Sequence, residues 1–196
     1  MKKVEGVHGR ASPHKGARGE ANAQLRVCVT GPESTGKTTL AARLAAYYRT
    51  VWVPEASRIY AERKQAPLLL SDVAPIAREH VSMADDGARI AGRLLVLDTD
   101  LLSTVVYSRH YYGVVPPEVE KLERARRADL YLLCDVDVPW LPDGIRDRPA
   151  NREAMLALFR EALEVRRLRW TMITGDWDRR WQTAVDAVRT ISLPSP

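Results

Sequence analysis

Residues 31–39 read Gly-Pro-Glu-Ser-Thr-Gly-Lys-Thr-Thr, and Lys37 is one of only six lysines in a chain with 24 arginines. The spacing Gly31-x-x-x-x-Gly36-Lys37-Thr38 is that of a phosphate-binding loop. Glycines let successive backbone N–H groups turn into one hollow, and a helix N-terminus behind that hollow attracts polyphosphate. An ammonium is a compact point charge suited to the β and γ phosphates, where the planar fork of arginine fits less well. The expected nucleotide-binding set is Gly31, Glu33, Ser34, Thr35, Gly36, Lys37, Thr38 and Thr39, with ATP and Mg²⁺ as cofactors. The Thr38 hydroxyl is expected on the metal.

Further chemistry-bearing residues follow later apolar runs. The run Leu94–Asp98 ends in a carboxylate that would hold Mg²⁺ with Thr38. It continues Asp98-Thr99, without the glutamate that polarises water in motor ATPases, so transfer to a bound acceptor is favoured over hydrolysis. The guanine-reading N-K-x-D is absent from Leu132–Pro139 and from Met172–Asp178, which argues against a GTPase. A kinase needs a carboxylate on the acceptor hydroxyl. Glu55 and Asp100 both qualify, and Glu55 is favoured. Arg58 lies one turn on from Glu55 and could hold a phosphate or pair with it. A cationic lid would stabilise transferring charge. Arg146, Arg148 and Arg152 in Asp143–Arg152 are candidates, Arg146 for catalysis and Arg148 for the nucleotide. Trp140 could stack on a flat ligand. Gly175 and Trp177 stand where an adenine would lie.

These residues need a scaffold that brings strand ends together. Leu25–Thr30, Thr50–Val53, Leu94–Asp98, Asp129–Cys134 and Arg169–Thr174 read as strands. Between and after them, helical spacing predicts helices after Lys37, at 55–64, 71–93, 100–110, 118–127, 152–167 and 177–191. Five strands alternating with helices predict an α/β fold of the P-loop NTPase type, nucleoside-kinase-like, with a five-stranded parallel sheet and helices on both faces.

Composition narrows the function classes. A hydrophobic fraction of 45% supports a globular core, and no apolar run approaches the ~20 residues of a membrane span. Residues 1–24 hold five cations against Glu5 and Glu20, so most of the net charge of +5 sits there. They read as a disordered basic tail, residues 1–24, ahead of a single kinase domain, residues 25–196. No basic-aromatic stripe marks the body, so a specific nucleic-acid partner is not expected. Cys28 and Cys134 fall in buried strands, as in a cytoplasmic protein. A small-molecule nucleoside acceptor is the expected partner, and a homo-oligomer is compatible with the sequence. A nucleotide-binding regulatory ATPase module is the competing class, and the acceptor-side Glu55 argues against it.

The ordered motifs resemble the P-loop ribosylnicotinamide kinase family, the kinase domain of bifunctional bacterial NAD-salvage and regulator proteins and their stand-alone relatives. The matching stretches are Gly31–Leu40, Glu55-x-x-Arg58, Asp98–Thr104, Tyr112-Gly113, Pro139–Arg146 and Gly175–Ala184. The resemblance spans about residues 25–191. It implies ATP-dependent phosphorylation of the 5′-hydroxyl of nicotinamide riboside to give nicotinamide mononucleotide. For the cationic ring, Trp140, Tyr60 and Tyr107 are aromatic candidates, and Glu55, Asp98 and Asp100 carboxylate candidates. Two positions depart from the family: an aromatic is usual at Ala56, and Pro142 replaces another residue. Both bear on acceptor identity more than on ATP binding.

Overall fold

Strands buried on both faces should be apolar at consecutive positions. Leu94–Asp98 (β3) and Leu130–Cys134 (β4) meet that condition, every residue in both being buried in the computed structural model. The structure describes residues 24–139 and 151–191. The tail predicted for residues 1–24 lies outside the described residues except for Gln24, whose amide nitrogen is 3.0 Å from the carbonyls of Ala88, Ala91 and Gly92.

Leu25–Thr30 (β1), Trp52–Val53 (β2) and Trp170–Ile173 (β5) complete the sheet, which is parallel throughout with order β2-β3-β1-β4-β5. β1 is central, with Val27 opposite Val96 on one side and Val29 opposite Leu132 on the other. The chain leaves β1 toward one edge and later returns past it to the other. The crevice beyond the carboxyl ends of β1, β3 and β4 is therefore a topological switch point, where such sheets bind ligands.

Alternation of side chains divides the core between the two faces. Val27, Val29, Val96 and Leu132 pack on one face against Lys37–Tyr47 (α1) and Trp177–Arg189 (α7). Cys28, Leu95, Leu97, Tyr131 and Leu133 pack on the other against Leu70–Ile90 (α3), Leu101–Tyr112 (α4) and Arg152–Val165 (α6). The two cysteines are free, buried, and on opposite faces. Ala56–Lys64 (α2) and Pro117–Ala125 (α5) complete the helices among the described residues.

Each predicted element is present within a few residues of its expected ends. β2 is shorter than expected, two residues instead of four. α3 is interrupted neither by Pro75, close to its N-terminus, nor by Gly87. A Cβ on Gly87 would lie 2.9 Å from a Val53 methyl and 3.2 Å from a Leu95 methyl, so the missing side chain lets α3 sit down on β2 and β3.

Candidate functional site

The loop between β1 and α1 turns through left-handed residues, Gly31 at φ 133°, Ser34 at 52° and Gly36 at 79°. Gly31 is required twice over. Its φ excludes side chains, and a Cβ there would lie 2.7 Å from the carbonyl oxygen of Cys134 on β4. Gly36 then serves as the N-cap of α1, without any side-chain cap to its first turn. The N–H groups of that turn are directed at the loop, as an anion site requires. Lys37 is 8% exposed and its Nζ donates to the Pro32 carbonyl at 2.6 Å, folding the ammonium over the loop. Thr35 Oγ1 donates to the same carbonyl at 2.9 Å. Thr39 is exposed on the first turn and Glu33 is buried.

Asp98 ends β3 facing that loop. Its Oδ2 accepts from Thr38 Oγ1 at 2.6 Å, while its buried Oδ1 has no hydrogen-bond partner among the described residues. Burial raises the carboxyl above its ordinary pKa, opposed by the Thr38 hydroxyl and the Lys37 charge. Glu55 raises it further and Arg58 lowers it, which places both within electrostatic reach. A hydroxyl and a carboxylate with one unpartnered buried oxygen are the hard oxygen donors that Mg²⁺ takes beside phosphate oxygens. The residues present therefore fit that ion.

Glu55 is buried at the N-cap of α2, and Ser57 Oγ donates to its Oε1 at 2.6 Å. Arg58 is exposed one turn on. Lys37, Thr38, Glu55, Arg58 and Asp98 are thus brought together as expected. Asp100 is also near and borders a cavity beside the loop, but both its carboxylate oxygens are engaged within the protein. Its Oδ1 accepts from Leu102 N at 2.9 Å, capping α4, and its Oδ2 accepts from the Tyr131 hydroxyl at 2.7 Å. Burial raises its pKa to about 6, opposed by the Tyr131 and Leu102 hydrogen bonds. Thr99 between the two aspartates has φ 66°, an uncommon conformation for a β-branched residue. That turn sends consecutive carboxylates opposite ways, Asp98 to the loop and Asp100 to the core. Spacing in the sequence does not reveal this.

Beside the loop a cavity of about 950 Å³ opens between α2, α3 and α4. Glu33, Ser57, Thr99 and Asp100 stand at its loop end, with Tyr107 and Tyr111 on the α4 wall. Those two rings are parallel, 6.0 Å between centroids. Ala56 also lines it. Tyr60 is directed elsewhere, its hydroxyl donating to Asp72 at 3.1 Å beneath the Arg63 guanidinium. Trp140, Arg146 and Arg148 lie outside the described residues.

The turn between β5 and α7 abuts the phosphate loop. The Trp177 ring, 44% exposed, leaves no room for a Cβ on Gly36, and Gly175 has φ 95°. Two arginines hold the loop from behind. Arg152, at the first position of α6, donates to the Ser34 carbonyl at 3.1 Å and to Val138 at 3.2 Å. Arg180 on α7 is 1% exposed and donates to the carbonyls of Thr35 (3.1 Å), Gly175 (2.9 Å) and Asp135 (3.0 Å), and to the Asp137 carboxylate. Arg152 reads in sequence as a lid residue, and Arg180 does not stand out there, being one arginine of a charged run within the matching stretch Gly175–Ala184. Periodicity alone could have found it, since it falls on the apolar face of α7 with Ala184 and Val188.

A family profile described as an AAA domain matches residues 26–180. The chain is 30% identical over 170 residues to the trifunctional NAD biosynthesis/regulator protein NadR of Escherichia coli K12, covering 83% of this chain and 42% of that protein. It is 29% identical to the NadR of Salmonella typhimurium LT2 with the same coverage. It thus spans less than half the length of these relatives. Among solved structures, NadR in complex with NR superposes with a TM-score of 0.68 at 28% identity, over 85% of this chain and 51% of that one. NadR in complex with NAD and AMP-PNP gives 0.71 at 25% identity, over 85% and 49%. Thymidylate kinase from Ehrlichia chaffeensis gives 0.63 at 15% identity, over 87% and 100%, a likeness of fold alone. With its phosphate loop, its five-stranded parallel sheet and this match over most of its length, the chain belongs to the AAA-domain family of P-loop proteins, and its motifs resemble those of the NadR proteins.

Proposed function

We propose that the protein is an ATP-dependent kinase of a small nucleoside, with nicotinamide riboside as the acceptor that best fits. The observation that carries this is the juxtaposition of the Lys37–Thr38–Asp98 cluster with a cavity of about 950 Å³, roomy enough for a nucleoside, whose lining includes Ser57, hydrogen-bonded to the buried Glu55, and tyrosines on its wall. NadR, to which the chain is similar, is known in complex with NR and with AMP-PNP, an ATP analogue. In this reading Thr38 and Asp98 would hold Mg²⁺, which when bound would offset the charge of the transferring phosphate. Lys37 leaves the Pro32 carbonyl for the phosphates. Glu55 orients the acceptor hydroxyl and takes its proton as the new O–P bond forms and ADP departs. Asp100, with both oxygens engaged, fixes the start of α4 and does not act as the base. The Tyr107 and Tyr111 faces suit a flat cationic ring.

A second reading is a kinase of a different nucleoside, favoured by Ala56. It lines the cavity where the resembled family has an aromatic, so the wall is more open there. ADP release with Mg·ATP, with and without nicotinamide riboside and a panel of other nucleosides, separates the readings. Stimulation by nicotinamide riboside alone is expected. Stimulation by another nucleoside keeps the mechanism and changes the acceptor. ATP binding without stimulation by any of them makes the protein a regulatory nucleotide-binding module.

A further inference from the structure

Arg180 is the largest fully buried side chain described, and a buried guanidinium is retained only where its donors are met. Its partners belong to three separate segments. Thr35 is in the phosphate loop, Gly175 is in the turn between β5 and α7, and Asp135 and Asp137 follow β4. Asp137 closes the bracket, its Oδ2 accepting from Thr174 Oγ1 at 2.7 Å and from the Gly175 N–H. The planar fork of arginine reaches several carbonyls at once in fixed directions, which a lysine cannot do.

We propose that Arg180, locked by Asp137, is a positioning residue that holds the phosphate loop and the β5–α7 turn at one fixed separation, so that the base and the polyphosphate of a nucleotide are bound as a single unit. This rests on the reading that the base lies against the turn carrying Gly175 and Trp177. Two half-sites gain from being joined only if their spacing matches the ligand, and the gain is lost when one can drift relative to the other. Arg180 touches neither half of the ligand in this arrangement, since its donors are taken up by main chain and by Asp137. Its effect is therefore on ligands that span both halves and not on those that occupy one.

Calorimetric titration with Mg·ATP and with Mg·tripolyphosphate, which lacks the base, tests this on the full chain. Asp137→Asn is the gentle variant, because that side chain is 30% exposed, and Arg180→Lys is the stronger one. The wild type is expected to prefer ATP over tripolyphosphate. Asp137→Asn should cut that preference about tenfold, through weaker ATP binding, with tripolyphosphate affinity within threefold of wild type. Arg180→Lys should cut it at least as far. An unchanged preference in both variants, in a protein whose wild type does prefer ATP, overturns the strut while leaving the base site standing. A wild type with no preference removes the base site at that turn and the inference with it.

Discussion

Lys37 and Asp98 show how far a residue's type and spacing anticipate its placement. The lysine stands out because it breaks the composition of an arginine-rich chain inside a phosphate-loop pattern, where a point charge would be useful. Its ammonium now rests on the Pro32 carbonyl at 2.6 Å, a contact made with its own loop, so little of the fold depends on it. Lys37→Ala should therefore lower acceptor-stimulated ADP release by at least about 100-fold, the order lost with one preorganised donor on a transferring group. Its thermal midpoint should stay within a few degrees of wild type. Near-normal turnover would remove the phosphate-loop assignment. Asp98 and Asp100 were equally legible as acidic strand-end residues, yet only the backbone separates them. The left-handed φ of 66° at Thr99 directs one carboxylate to Thr38 and the other to Tyr131. A local dihedral of that kind leaves no trace in composition or periodicity. Arg180 was hidden for a related reason: a charged residue on an apolar face counts against burial until its acceptors are seen.

At the scale of elements, the continuous apolar runs of β3 and β4 announced strands covered on both faces, and they are. The turn and helix signals around them placed the remaining elements to within a few residues. Asp100 and Asp176 cap α4 and α7, Pro117 opens α5, and Gly113 in the left-handed region closes α4. What no pattern gave was how closely elements approach. Gly87 stands in the middle of a 21-residue helix, where glycine costs about 1 kcal/mol against alanine. Propensity alone says that Gly87→Ala stabilises. Packing says the reverse, because the added methyl would lie 2.9 Å from Val53 and 3.2 Å from Leu95 at the seam of α3 with β2 and β3. Overpacking of a core costs about 1–3 kcal/mol, which exceeds the gain. Gly87→Ala should destabilise the fold by about 1 kcal/mol net, read as a lower urea midpoint. A rise would mean that α3 can shift outward, and the cavity wall it forms would then be softer than the packing implies.

The strand order 2-3-1-4-5 puts the acid-bearing end of β3 and the glycine loop after β1 side by side. The whole molecule thus assembles one site from residues far apart in sequence. The order itself was not readable from the alternation of strands and helices, which fixes parallel crossovers but not which strand is central. Burial across so many layers also gives the molecule a pH response that no single helix would have. His80 on α3 is 5% exposed, and burial, with the Arg126 and Arg26 charges, lowers its pKa to about 4, Asp85 acting weakly the other way. The unfolded chain binds that proton near pH 6.5, the folded chain only near pH 4. The contribution of the neutral imidazole to stability is therefore complete above about pH 6.5 and is lost as pH falls toward 4. Over pH 6.5 to 4.5 this amounts to about 2 kcal/mol. His80→Gln has no such proton to take up. Urea unfolding across that window should show the variant gaining stability relative to wild type as pH falls, by about that amount. Other acid-sensitive groups are common to both proteins and cancel in the difference. A pH-independent difference would mean that His80 reaches solvent in the folded protein, and that the inner end of the α3–α4 cavity is open to water.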